Sequence, residues 1–167
     1  MSLAEDLLEQ AKFLVHRDPQ KPRQASLRRA VSTAYYAVFH LLATSAADQA
    51  SSATPPALRL RVRRALDHSE MKTAAQSFAS SNLPRQIAPL IRGALARELV
   101  SVADSFIRLQ EDRHKADYDL DIRFDRAVTE EAVARATQVF RDWASVRETD
   151  GAKVFLAGLM FHKRWNR

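Results

Sequence analysis

The chain has 167 residues, no cysteine and only 3 glycines, and 46% of its residues are hydrophobic. The lack of cysteine excludes a disulfide scaffold, a cysteine-ligated zinc site and a thiol nucleophile. Three glycines are too few for a Walker phosphate loop or a Rossmann fingerprint, each of which needs several glycines close together. The length suits a single domain with its own hydrophobic core, spanning residues 1–167.

The net charge is +6, from 26 basic and 20 acidic side chains, and the excess is uneven. Residues 51–115 alone carry 11 basic and 6 acidic side chains. A local basic field favours an anionic partner such as RNA, although the same pattern is also typical of a solvated helix face. The sequence has no apolar run of about 18 residues and begins without the basic and apolar regions of a signal peptide. We therefore expect a cytoplasmic protein with no membrane partner.

The first predicted helix begins at a capping box formed by Ser2 and Glu5 and ends near His16. The second runs from about Arg23 to Asp48 and is apolar around much of its girth. The tract DQASSATPP then predicts a loop. The expected apolar stripe of the first helix consists of Leu3, Leu7, Ala11 and Leu14.

The middle of the chain predicts two shorter helical segments, separated at residues 67–69. The piece LRLRVR also alternates with period two, which leaves a short strand as a minor alternative. A long helix is predicted over 94–113, a turn with four aspartates over 117–125, and a helix that Thr129 opens. The prediction is an all-α fold: an antiparallel bundle of five to six helices with two long core helices.

Polar side chains form a stripe along the second helix. Because they are spaced by three or four residues, they share one side of the helix. On so apolar a helix they must either line a cavity or be satisfied by neighbouring helices. The stripe consists of Arg29, Ser32 or Thr33, Tyr36 and His40.

The long helix carries a second polar stripe around Arg108, which has Asp104 and Asp112 four residues away on either side. This spacing fits either a surface ion-pair ladder or an arginine that Asp104 positions. His114 follows Arg108 by six residues, which on a continuous helix means about 120° of rotation and about 9 Å of rise. The two can act on one group only if the helix kinks or a second subunit contributes, so joint action predicts a dimer.

Three motifs of the chain together resemble those of one known family. The segment SLRRAVSTAYYAVFHLL and the spacing Arg108-x5-His114 are similar to the signature helix and the Arg-x(4–6)-His motif of the HEPN superfamily (higher eukaryotes and prokaryotes nucleotide-binding). The segment RHKADYDL, with Arg113, Asp117 and Tyr118, resembles the Arg-x3-Asp-Tyr element of an uncharacterised bacterial subfamily. The resemblance covers residues 24–145.

The resemblance implies an all-α protein that forms a homodimer through its two long helices. Catalytic members are metal-independent ribonucleases. In these enzymes, arginine and histidine from both subunits meet in a cleft, and RNA cleavage leaves a cyclic phosphate. Many are toxins paired with a nucleotidyltransferase-type antitoxin, whereas other members are non-catalytic modules for nucleotide binding, RNA binding or protein assembly. This chain departs from catalytic members at Leu109, where they usually carry a polar residue.

We therefore expect Arg108 and His114 to be catalytic, with no metal and no cofactor. Histidine titrates near neutral pH, and arginine can hold a phosphate bidentately. The aspartates near His114 would repel an RNA backbone, which favours the non-catalytic alternative. A third alternative, a DNA-binding bundle that uses LRLRVRR, lacks a helix-turn-helix pattern. The expected supporting residues are Asp104, Arg113, Asp117, Tyr118, Arg29, Ser32, Tyr36 and His40.

Overall fold

The computed structural model describes residues 1–50 and 56–165, and this part of the chain contains α-helices, one short 3₁₀ helix and no strand. The all-α prediction is confirmed. The helices are α1 (Leu3–His16), α2 (Gln24–Ala50), α3 (Pro56–Arg64), α4 (His68–Ala79), the 3₁₀ helix (Ala88–Leu90), α5 (Arg97–Tyr118), α6 (Arg126–Val146) and α7 (Asp150–Trp165).

The described residues thus form seven α-helices, more than the five to six expected, and α3 and α4 are separate elements as predicted. Helix α6, with 21 residues, is almost as long as α5, so the long helices are three rather than two. The LRLRVR piece is helical and none of the residues of α3 is buried. Residues 51–55 of the predicted loop lie outside the described part. Within that part, no helix is long and apolar enough to cross a bilayer.

The start of α1 confirms the predicted capping box. The Ser2 amide donates to the Glu5 carboxylate at 2.7 Å, and the Glu5 amide donates to the Ser2 hydroxyl at 3.3 Å. These hydrogen bonds lower the pKa of Glu5. The predicted apolar stripe is shifted, since Leu3 is 51% exposed. Because residues 7 and 8 are both leucine, periodicity alone does not tell which face of α1 points inward. The buried positions are Ala4, Leu8, Ala11, Leu14 and Val15.

Helices α5 and α6 have different ends from those predicted. Helix α6 begins at Arg126, not Thr129, because the Asp125 carboxylate accepts from the Val128 amide at 2.8 Å. Thr129 is fully buried and its hydroxyl donates to the Asp125 carbonyl at 2.7 Å. Helix α5 continues five residues past the predicted end at Arg113. Its last turn is held by a side chain of α2, a partner that local sequence does not reveal.

The chain forms two compact units. The first unit comprises Met1–His40 and Ser105–Arg141, and the second comprises Leu41–Asp104 and Asp142–Arg167. In the first, the fully buried Tyr35 ring lies 5.7 Å from the Phe106 ring, measured between centroids.

In the second unit, α4 packs on α7 through Phe78 and Phe155, whose ring centroids are 5.0 Å apart. The Trp143 ring lies 6.3 Å from the Phe155 ring. Three buried aromatic rings thus pack together among the aliphatic side chains of this core.

Candidate functional site

The predicted catalytic pair lies on the part of α5 that belongs to the first unit. Helix α5 is continuous through Tyr118, so Arg108 and His114 stand on one unbroken helix. Both residues are exposed to solvent. Their separation of six residues corresponds to about 120° of rotation and about 9 Å of rise. Within one chain the two side chains therefore point in different directions, and the expectation that a second subunit completes the site stays a prediction.

The next arginine along the helix, Arg113, binds within the chain. Its Nη2 donates to the Tyr36 hydroxyl of α2 at 2.9 Å. Its Nε lies 2.8 Å from Asp117 Oδ2, an ion-pair distance, although the N–H is not aligned for a hydrogen bond. The Ser32 hydroxyl donates to the other oxygen of Asp117. Two hydrogen bonds therefore link α2 to the end of α5, and an ion pair within α5 joins Arg113 to Asp117.

Aromatic rings surround the Arg113 guanidinium on several sides. Its central carbon lies 5.5 Å from the ring centroids of Tyr36 and Tyr118 and 6.0 Å from that of Tyr35. Burial opposes the charged form, but the Tyr36 hydroxyl and the Asp117 carboxylate outweigh it and raise the pKa of Arg113. With only 19% of its side chain exposed, Arg113 is a structural cation.

His114 and Tyr118 form an exposed aromatic pair beside this network. Their ring centroids are 5.1 Å apart, and Tyr118 is 63% exposed. Tyr118 thus contacts the Arg113 guanidinium and the His114 imidazole at once. An exposed aromatic ring of this kind can stack on a nucleic-acid base.

The structure brings together five predicted supporting residues. They share one network in the first unit, to which the polar stripe of α2 contributes Ser32 and Tyr36. Ser32, and not Thr33, bonds to Asp117. The members are Arg113, Asp117, Tyr118, Ser32 and Tyr36.

The other supporting residues stand at different places in the chain. His40 is half-buried with its ring 5.4 Å from Phe39, and Arg29 is exposed. Asp104 falls in the second unit. The Asp112 carboxylate, expected beside Arg108, pairs with Arg135 at 3.2 Å and with Lys115 at 3.7 Å.

Sequence reasoning missed Arg28, which holds the C-terminal end of α5. Its guanidinium donates to the carbonyls of Ala116 and Asp119, both at 2.9 Å, and also to those of Lys115 and Ile122. Exposed carbonyls at a helix C-terminus are where a cation is stabilising. The only signal was two consecutive arginines at 28 and 29, and periodicity does not tell which of them faces inward.

Within the described residues, no group of three or more histidine, aspartate or glutamate side chains is arranged as a metal-ligand set. Comparison of the chain with protein-family models, with curated proteins and with solved structures finds no match.

Proposed function

We propose that this chain is a HEPN-like, metal-independent endoribonuclease that works as a homodimer. Its helices form an antiparallel bundle, and two copies pair through α2 and α5 to place Arg108 and His114 in one cleft. The observation that carries the proposal is the contrast along α5: Arg113 is held inside the chain, whereas Arg108 and His114 are exposed where RNA and a second subunit can reach them.

The chemistry needs only the RNA and these two side chain types. The ribose 2′-oxygen loses its proton to a base and forms a bond to the adjacent phosphorus. The bond from phosphorus to the 5′-oxygen breaks, and that oxygen takes a proton from an acid. The products are a 2′,3′-cyclic phosphate and a 5′-hydroxyl. His114 moves the proton, and Arg108 stabilises the charge that develops on the phosphoryl oxygens.

The Arg113 network supports this proposal by preparing the helix on which the pair stands. It fixes the last turns of α5 against α2, so His114 is presented from a rigid element. It also neutralises Asp117, which removes one of the negative charges near His114. The role proposed for Tyr118, whose ring lies beside that of His114, is to stack on a base next to the scissile phosphate.

RNA cleavage in excess EDTA tests the catalytic roles. His114→Ala should reduce the rate by about 10²-fold or more, the usual contribution of general acid–base catalysis. His16→Ala, at an exposed histidine in the same unit, is the matched control and should keep the wild-type rate. If folded His114→Ala protein cleaves RNA at the wild-type rate, the proposed mechanism is contradicted.

Mixing two inactive variants tests the shared cleft. Arg108→Gln and His114→Ala should each be inactive alone, while a refolded mixture contains heterodimers in which each chain supplies what the other lacks. Recovered cleavage is the expected result, together with a dimer mass in light scattering. A monomer in solution, or a mixture as inactive as its parts, contradicts the two-subunit site.

We further propose a nucleotidyltransferase-type protein as antitoxin, as the HEPN resemblance implies. Expression of the chain alone should then arrest growth, and His114→Ala should relieve the arrest. Growth unaffected by the wild-type chain would count against the toxin role.

The second candidate is a non-catalytic module that binds RNA or a nucleotide, or assembles proteins. The observation favouring it is that the side chains of the Arg-x3-Asp-Tyr element bind one another within the chain. Saturable RNA binding by the wild-type protein without any cleavage would select this candidate.

A further inference from the structure

The first unit contains a cavity whose walls are rich in arginine. Its volume is about 400 Å³, within the range of small-molecule sites. The cavity lies between the start of α2 and the end of α5, with Arg17 contributing from the end of α1. Its polar lining comprises Arg17, Arg28, Arg29, Ser26 and Asp117.

The three guanidinium groups have different degrees of freedom. Arg28 is fixed by the carbonyls at the end of α5 and forms a rigid wall. Arg17 and Arg29 are exposed, so they can close on a ligand. An arginine offers paired N–H groups that match two oxygens of a phosphate. The cavity therefore combines one fixed positive charge, that of Arg28, with two adjustable donors of the type that phosphate recognition uses.

The carboxylates at this place are already neutralised. Asp117 pairs with Arg113 and accepts the Ser32 hydroxyl. Asp18, which accepts the Ser26 hydroxyl at 2.6 Å, lies 3.5 Å from the Arg23 Nε. The positive charge of the cavity is thus not cancelled by its own acidic neighbours.

The first turn of α2 adds to the same field. It contains no acidic residue, and its first amides have no partner within the helix. Ala25 and Ser26 of this turn line the cavity. The N-terminal turn of α2, where the helix dipole is positive, therefore borders the same space as the arginines.

We propose that this cavity is a phosphate-binding site that takes a phosphate group of a nucleotide or of an RNA chain. Arg28 sets its inner wall, and Arg17 and Arg29 grip the phosphate oxygens. The site uses neither Arg108 nor His114, so it goes beyond the ribonuclease proposal and does not depend on cleavage.

Nuclear magnetic resonance titration with inorganic phosphate tests the site, at an ionic strength held constant with sodium chloride. The wild-type protein should show saturable shifts at residues 24–29. Arg29→Gln and Arg17→Gln should each raise the dissociation constant for phosphate by about tenfold, because each removes one charge-assisted contact. Arg141→Gln, at an exposed arginine of α6, removes the same charge and should leave the affinity unchanged.

Shifts that do not saturate, or equal weakening by all three variants, would overturn the proposal. Two 2′-O-methyl oligonucleotides, which cannot be cleaved through the 2′-oxygen, distinguish the ligand sources. If the oligonucleotides with and without a 5′-phosphate bind equally well, and both depend on Arg29, the ligand is a backbone phosphate. If only the oligonucleotide with a 5′-phosphate binds, the ligand is a terminal phosphate. Binding of inorganic phosphate but of neither oligonucleotide would overturn the assignment to a nucleotide or RNA phosphate.

Discussion

The two compact units carry the same number of basic side chains but very different net charge. The first unit has 13 basic and 12 acidic side chains, whereas the second has 13 and 8. The candidate site therefore lies in the nearly neutral unit, and most of the +6 lies in the other. A local arrangement of arginines, rather than total charge, must attract an anion in the first unit.

The units also differ in what holds their helices. Both units contain packed aromatic rings, but the first adds guanidinium groups: Arg28 at the end of α5, Arg113 between α2 and α5, and Arg126, which donates to the Asp18 carbonyl at 2.8 Å. In the second, a neutral donor, the Trp143 indole N–H, lies 3.0 Å from the Ser45 hydroxyl. Arginine in the first unit is thus partly a structural residue.

The largest expected effect tests the aromatic core of the second unit. Phe155→Ala removes a fully buried ring that contacts Phe78 and Trp143, so we expect a loss of about 3–5 kcal/mol in the free energy of unfolding. Urea denaturation measures it. Phe13→Ala, at a 65% exposed ring of the first unit, should cost no more than about 0.5 kcal/mol. Similar losses would contradict the packing of the Phe155 ring in the core of the second unit.

The next largest effect is expected from removing the Arg113 guanidinium of the first unit. Arg113→Met leaves the Asp117 carboxylate without its cation, and we expect a loss of about 2 kcal/mol, less than for a fully buried pair because the arginine is 19% exposed. Arg141→Met, on the exposed surface of α6, should change stability by less than about 0.5 kcal/mol. Equal values in urea denaturation would show that Arg113 is dispensable.

A smaller effect concerns the end of α5. Arg28→Met removes donors from several carbonyls and should cost about 1–2 kcal/mol. Amide hydrogen exchange should quicken over residues 115–122, whereas Arg29→Met, at the exposed neighbouring position, should leave this exchange unchanged. Exchange that is equally fast in both variants would contradict the assigned role of Arg28.

The smallest effect is a pH dependence in the second unit. Hydrogen bonds from the Glu70 amide and from Ser69 lower the pKa of Asp67, the N-cap of α4, from its ordinary value of 3.8. This carboxylate therefore stabilises the fold above that value, and the contribution is lost as the pH falls through the lowered pKa.

Asp67→Asn keeps a capping side chain but does not titrate, so its stability should differ from that of the wild type at pH 6 and converge with it in acid. Asp67→Ala should cost about 1 kcal/mol at pH 6 because it removes the cap. A difference between wild type and Asp67→Asn that does not change with pH would refute the linkage.

The sequence by itself determined what depends on neighbours a few residues away. The capping box at Ser2, the helical character of nearly every segment and the burial of Tyr35 and Phe39 follow from local spacing and side chain type. The polar stripe of α2 was also predictable, since positions three and four apart share a face of any helix.

Only the tertiary structure decided which arginine faces inward. Arg28 and Arg29 are adjacent and chemically identical, yet the first binds carbonyls about 90 residues away and the second is exposed. Arg113 was expected beside the catalytic pair, but Tyr36 and Asp117 hold it in the interior. These outcomes depend on groups distant in sequence, whose positions are set by the packing of whole helices, and local periodicity contains no information about them.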